Sequence, residues 1–162
     1  MATSTTQAYV RPLTTNEQAG NGGFTHEIAF GVGTNNLLSN TTADEDMTFN
    51  LFKVKAGDVI VKWALKLDPA FSDASDAAFN SVAFSFGDED SGTRFLSGVQ
   101  TNVNGTEVIS TYGNTAYTYA AVKQINVLIE SMTAKSLSNI DAGKAVLMFE
   151  LLRLETLTKA LA

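Results

Sequence analysis

The sequence predicts an all-β fold, an antiparallel sandwich or barrel, and three observations carry that prediction. Short runs with a two-residue hydrophobic period recur along the chain. Turn signals built from Gly, Asn, Asp and Pro separate them at intervals of about 10 residues. Helical periodicity is confined to the C-terminal end. With 162 residues, 44% of them hydrophobic, the chain has the material for one domain with a sizeable core.

The opening stretch, residues 1–24, is rich in Thr, Asn, Gln and Gly and cannot bury much surface by itself. It reads either as a loose tail or as an extended arm on a neighbouring subunit, anchored by Tyr9, Val10 and Leu13. Residues 25–154 carry the strand pattern, and 155–162 form a C-terminal tail.

Within the central part, "HEIAFGVGT" is a short strand ended by glycine, and "MTFNLFKV" is the next. The turn "KAGD" leads into "VIVKWALKL", which alternates cleanly. Val59, Val61, Trp63, Leu65 and Leu67 are expected on the buried face, and Lys62 and Lys66 with Ile60 and Ala64 on the other. Pro69 stops the strand because it cannot donate to a ladder. "NSVAFSF" repeats the device with Val82, Phe84 and Phe86 inward.

"TRFLSGVQTNVNGTEV" follows, broken by Gly98 and by the turn signal Asn104-Gly105, whose residues tolerate positive φ. Tyr117, Tyr119, Ile125, Val127 and Ile129 then recur at every second residue. After the turn-rich "SLSNIDAGK", the run Ala145 to Leu154 is apolar on both faces apart from Glu150 and Arg153. As a strand it is central or buried against another subunit. A helix competes with that assignment, because Leu151, Leu154, Leu157 and Leu161 fall close to one helical stripe.

Composition narrows the function. A net charge of −6 with eleven scattered basic residues argues against a nucleic-acid grip, which needs clustered Lys and Arg. The absence of cysteine removes disulfides, thiolate catalysis and cysteine-ligated zinc. No segment has the roughly 20 apolar residues of a membrane helix, and no apolar run follows Met1 as a secretory signal requires. The expectation is a soluble protein with no membrane and no nucleic-acid partner.

One stretch resembles chemistry: "GDEDSGTRF", where Asp88, Glu89 and Asp90 are adjacent. A helix-loop-helix calcium loop needs alternating oxygen ligands and a closing bidentate Glu. Asp88 and Asp90 alternate, but Gly92 occupies a ligand position and Val99 the closing one. The two aspartates are therefore weak metal candidates. Nor are neighbours on one loop set across a sugar, as a glycosidase pair is. The stretch reads as a solvated turn, its three carboxylates in water and Arg94 pairing with one of them.

His26, the sole histidine, lacks a triad or metal context and reads as a surface or interface residue. The glycines of "AGNGGF" have no preceding strand and no following Lys, so they do not form a phosphate loop. Neither a catalytic site nor a cofactor is expected.

Four segments in order, "VKAGDVIVKWALKLDPAF", "SVAFSFGDEDSGTRFL", "AYTYAAVKQINVLI" and "DAGKAVLMFEL", resemble tailed-phage virion proteins of the small β-sandwich type associated with phage heads. The order and spacing hold over about half of the chain. The resemblance implies a jelly-roll-like or related sandwich and a structural role as a head decoration, or cement, protein. The extended N-terminal arm is expected from composition and not from the resemblance. It implies the major capsid protein as partner, a homo-oligomer with a trimer as the form considered, and a place on the capsid surface.

The contact residues expected for that role are Tyr9, Val10 and Leu13 in the arm and Leu154, Leu157 and Leu161 in the tail. Both ends lie outside the resemblance, which leaves the exact position on the particle open. The rival expectation is a receptor- or glycan-binding head domain of a tail or fibre protein. It would use Tyr112, Tyr117 and Tyr119, with calcium at Asp88 and Asp90.

Overall fold

A computed structural model describes residues 3–31, 40–101, 109–114 and 116–153. Strands β1 (Thr3–Gln7) and β2 (Arg11–Pro12) precede a short helix, α1 (Thr15–Gly20). There follow β3 (His26–Gly31), β4 (Asp46–Val54), β5 (Val59–Leu67), β6 (Val82–Asp88) and β7 (Ser91–Thr101). The last are β8 (Ile109–Gly113), β9 (Tyr117–Thr118), β10 (Lys123–Glu130) and β11 (Lys144–Leu152). One sheet has the order β1-β4-β10-β6-β7 and the other β2-β3-β11-β5-β8, with β9 also paired to β5.

Without β1, β2 and the two-residue β9, eight strands remain. Numbered 1 to 8 along the chain, they lie in the orders 2-7-4-5 and 1-8-3-6. Their pairings are all antiparallel. Strand 1 pairs with 8, 2 with 7, 3 with 6 and 4 with 5, and successive pairs fall in alternate sheets. An antiparallel ribbon rolled in this way is a jelly roll. The fold class expected from the sequence is the one observed.

Phenylalanine fills the space between the sheets. Phe30, Phe49, Phe71, Phe79, Phe84, Phe86 and Phe149 are all essentially fully buried. Each contributes on the order of 1.5–3 kcal/mol by leaving water. Strand β11 lies between β3 and β5, so residues 144–152 form the central strand and not the competing helix. At the turn before it, Gly143 has φ +127° and an added Cβ would lie 2.5 Å from Phe71 Cα, so only glycine fits there.

Strand β5 departs from its expected phase. Trp63, Leu65 and Leu67 are buried as expected, but Ile60 is buried too, while Val59 and Val61 are half-buried. Opposite it, Glu150 faces Lys62 and Leu151 faces Ile60, which leaves Val61 without an opposite residue. This bulge turns the first part of the strand over.

The N-terminal stretch is not a separate arm. Strand β1 adds to β4 in the only parallel pairing among the described strands, and β2 pairs with β3 in the other sheet. A polar strand does this through its backbone, covering a sheet edge without burying a hydrophobic face. The Gln7 amide donates to the Asn50 and Leu51 carbonyls at 2.8 and 2.9 Å. Helix α1 starts with a capping box between Thr14 and Glu17, and Arg11 bridges Glu17 and Glu27 at 2.8 and 2.7 Å. The expected boundary at residue 24 therefore cuts through a continuous unit. The Asn104-Gly105 turn, Leu154 and the tail, residues 155–162, lie outside the described residues.

Candidate functional site

Two places concentrate polar or exposed aromatic side chains: the hairpin between β6 and β7, and the groove under the N-terminal strap.

The hairpin holds the three adjacent carboxylates, which have different fates. Asp88 is buried, 1% exposed, contrary to the expectation that all three stay in water. Its Oδ1 accepts from the amides of Asp90 at 3.0 Å and Ser91 at 2.9 Å and from Arg94 Nη2 at 3.2 Å. Its Oδ2 accepts from Arg94 Nε and from the Tyr119 hydroxyl, the latter at 3.0 Å. Five donors thus occupy a carboxylate with about four lone-pair sites.

Burial alone pushes the Asp88 carboxyl up, but Arg94, the Ser91 amide and the Tyr119 hydroxyl together hold it below its ordinary value. Burial, then the bond to Asp88, pushes the Tyr119 phenol well up, so it stays a donor. Expected pairing of Arg94 with an acidic neighbour is observed, and its guanidinium also lies 4.1 Å from the centre of the Tyr117 ring.

Glu89 and Asp90 remain exposed and face Lys123, whose Nζ lies 3.6 and 2.8 Å from them. Asp88 and Asp90 therefore turn to different cationic side chains, Arg94 and Lys123. Gly87 makes the hairpin this tight, since a Cβ there would lie 2.1 Å from the Ser91 carbonyl oxygen. The arrangement closes a turn and ties it to the residue after β9; it is a structural clamp.

The strap is Ala8–Val10, the link from β1 at the edge of one sheet to β2 at the edge of the other. Ala8 is buried and its amide donates to the Asn50 carbonyl at 2.9 Å. Tyr9 stands out, 77% exposed, and Val10 packs partly against the core. Leu13, expected to anchor on a neighbour, is buried within its own chain. The reason is the 2.8 Å bond from its amide to the Thr25 carbonyl, which draws it against β3. Leu154, Leu157 and Leu161 lie outside the described residues.

Beside the strap lie two adjoining cavities of about 540 and 360 Å³. Pro12, His26 and Arg153 line both. The His26 ring is stacked, with centroids 5.2 Å from Phe149 and 6.1 Å from Phe52, and its Nδ1 lies 2.8 Å from Thr25 Oγ1. It is half-buried, where the sequence indicated a surface or interface residue. Burial, then the charge of Arg153, holds the imidazole below its ordinary value.

Thr25 is the hub, since its hydroxyl oxygen also accepts from the Leu151 amide at 2.8 Å. Sequence reasoning missed Phe52 and Arg153 as neighbours of His26. Phe52 sits next to a bulge, where the pairing with β10 passes from Phe52 to Asn50 and skips Leu51, and local alternation gives no sign of that.

Of the three tyrosines of the glycan reading, Tyr117 and Tyr119 pack edge to face with ring centres 4.9 Å apart. Tyr119 is buried, Tyr117 lies under Arg94, and Tyr112 alone is fully open, 80% exposed on the edge strand β8. Among the described residues, no group of three or more His, Cys, Asp or Glu side chains is placed to hold a metal ion.

No protein-family model matches the chain, and no curated protein does. Among solved structures, it is similar to a chain of the acidic stable capsid structure of Helicobacter pylori bacteriophage KHP30. The identity is 21% over 77% of this chain and 82% of that one, with a TM-score of 0.42. A chain of the cyanophage Pam1 capsid asymmetric unit is similar at 15% identity, 76% and 80% coverage and a TM-score of 0.46. TmCBM61, solved in complex with β-1,4-galactotriose, is similar at 14% identity, 89% and 81% coverage and a TM-score of 0.34.

Proposed function

We propose that this chain is a non-enzymatic decoration protein of a tailed-phage head, which binds the outside of the shell and bridges adjacent capsomers. The observation that carries the reading is the strap. It is fixed to the edges of both sheets, yet it presents Tyr9 almost fully to solvent. A large amphipathic ring on a rigid support is a suitable anchor for a protein interface. The jelly roll suits the role, since viral capsid domains use it, as lectins do. The order of the four motifs that resemble phage head proteins adds support.

In this reading the partner is the major capsid protein, the location is the virion surface, and the chain acts as a homo-oligomer. Stabilisation is by mass action: a protein that binds only the assembled shell shifts the equilibrium towards it. A stable contact of this kind needs roughly 1,200–2,000 Å² of buried surface, which the strap alone does not supply. The faces of the sandwich take part as well. The rival, a glycan-binding head domain of a tail or fibre protein, is favoured by one observation, the exposed Tyr112 on an edge strand.

Copy number in purified particles, measured by mass spectrometry against the major shell protein, decides between them. A number comparable with the shell protein supports decoration. A few copies per particle would place the chain at the portal, tail or fibre, and none would overturn the virion role.

A further inference from the structure

Strand β11 outruns its neighbour on one side. Its register with β3 stops at Phe149 opposite His26, whereas on the β5 side it continues to Leu152 opposite Val59. The Thr25 amide still reaches the Phe149 carbonyl, at 3.0 Å, but the Leu151 amide is met by the Thr25 hydroxyl and not by a backbone carbonyl. The end of β11 is therefore a sheet edge with no strand beside it on that side among the described residues. Such an edge is a ready template for an added strand.

This edge opens onto the groove beside the strap. Leu151, Leu152 and Arg153 line its cavity of about 360 Å³, and Arg153 lines the adjoining one of about 540 Å³ as well. Tyr9 and Leu152, two of the four large hydrophobic side chains exposed among the described residues, stand here. Apolar surface gathered at a concave site of this size marks a binding groove.

Charge selects the occupant. The chain carries a net charge of −6, yet among the described residues no Asp or Glu lines either cavity, and the charged lining residue is Arg153. Glu17 and Glu27, on α1 and β3, are both held by Arg11. Arg153 has Asp58 as a neighbour, but its Nε stands 3.8 Å from that carboxylate, beyond hydrogen-bond reach. Its guanidinium therefore keeps donors for a ligand, and a carboxylate matches their fork.

We propose that the groove binds an extended peptide segment of a partner protein, which adds to the edge of β11 with apolar side chains in the two cavities and a carboxylate on Arg153. The proposal stands independently of the virion role.

His26 is the only histidine and lines both cavities, so its imidazole NMR signals report on this site. The full chain is titrated with the synthetic peptide acetyl-LDLTL-amide and with three relatives. Two replace its Asp by Asn or by Lys, and the third keeps the Asp but has N-methylated backbone amides. The expected result is a saturable shift of the His26 signals with the Asp peptide. Affinity should fall by roughly two- to fivefold for the Asn peptide, as for a half-exposed ion pair, and further for the Lys peptide. The N-methylated peptide should give no saturable shift, and Arg153→Gln should bring the Asp and Asn peptides to equal affinity. His26 signals left in place by the Asp peptide would overturn the proposal, as would equal affinities of the Asp and Lys peptides. Undiminished binding of the N-methylated peptide would overturn the strand addition. Saturation by 4-methylpentanoate at the affinity of the Asp peptide would also overturn the proposal, and assign the groove to small carboxylates.

Discussion

Tyr119 donates its hydroxyl hydrogen to Asp88 across 3.0 Å, joining residues 31 positions apart. The bond ties the end of β6 to the segment that follows β9. With Arg94 on the other side of the carboxylate, the acidic hairpin becomes a fixed corner between the two sheets. Removing either partner tests that role.

Asp88→Ala deprives Arg94, Tyr119 and two backbone amides of their acceptor. Breaking a buried ion pair by removing one partner costs roughly 3–5 kcal/mol, and Arg94, whose side chain is 22% exposed, places the loss at the lower end. Tyr119→Phe removes one bond to a charged group, for a loss of roughly 1.5–3 kcal/mol. Asp90→Ala, which faces only Lys123 at the surface, should lie within about 0.5 kcal/mol of wild type. Urea unfolding of the three variants checks this order, and equal losses for Asp88 and Asp90 would contradict it.

The pH response should depend on His26. Burial and Arg153 hold its imidazole below the ordinary value, so the folded state takes up this proton less readily than the unfolded chain, which titrates near 6.5. The stabilisation is fully present above that pH and is lost as pH falls through the folded value. Asp46 and Glu130, held above their ordinary values chiefly by burial, act in the opposite direction. The measure is therefore the difference between wild type and His26→Phe, which keeps the stacking ring. Melting temperatures from pH 8 to pH 5 should show that difference moving in favour of the variant as pH falls. A constant difference would show that the site does not titrate.

Gly87 sets the hairpin geometry, with an added Cβ 2.1 Å from the Ser91 carbonyl oxygen and 2.5 Å from the Gly92 carbonyl carbon. Both contacts are backbone, so relief requires the strands to move apart. Overpacking costs about 1–3 kcal/mol where neighbours can yield, and Gly87→Ala should reach or exceed the upper end. Gly92→Ala, with open space around its Cβ, is the control. Denaturant midpoints that match for the two variants would refute the tight hairpin.

Much of the fold was legible because alternation is a local property. Val82, Phe84 and Phe86 face the core as their spacing indicated, and so do Ile125, Val127 and Ile129. Arg94 was also legible as a partner for the acidic run. Burial of Asp88 was not, because its neutralising contacts include Tyr119, and a row of three carboxylates looks solvated in one dimension. The bulge at Val61 is created by pairing with residues about 90 positions later, so the inversion of Ile60 has no local sign. The docking of the N-terminal stretch was not legible for a related reason: β1 and β2 dock through backbone bonds and Leu13, and a Thr- and Gln-rich composition does not reveal edge pairing.

Because the strap is part of the sandwich, deleting it is a poor test of what it binds. Removing residues 1–13 strips the pairing of β1 with β4 and uncovers the side chains beneath Ala8 and Leu13, so stability and binding should fall together. Tyr9→Ala separates them. With the ring 77% exposed, its loss should change stability by no more than about 0.5 kcal/mol. If Tyr9 is the anchor of a shell contact, the same substitution removes a hot-spot side chain worth about 2 kcal/mol or more, a loss of roughly 30-fold in affinity. Binding of the variant to shells stripped of the protein, read beside its melting temperature, gives both numbers. Unchanged affinity at unchanged stability would move the contact away from the strap and onto the faces of the sandwich.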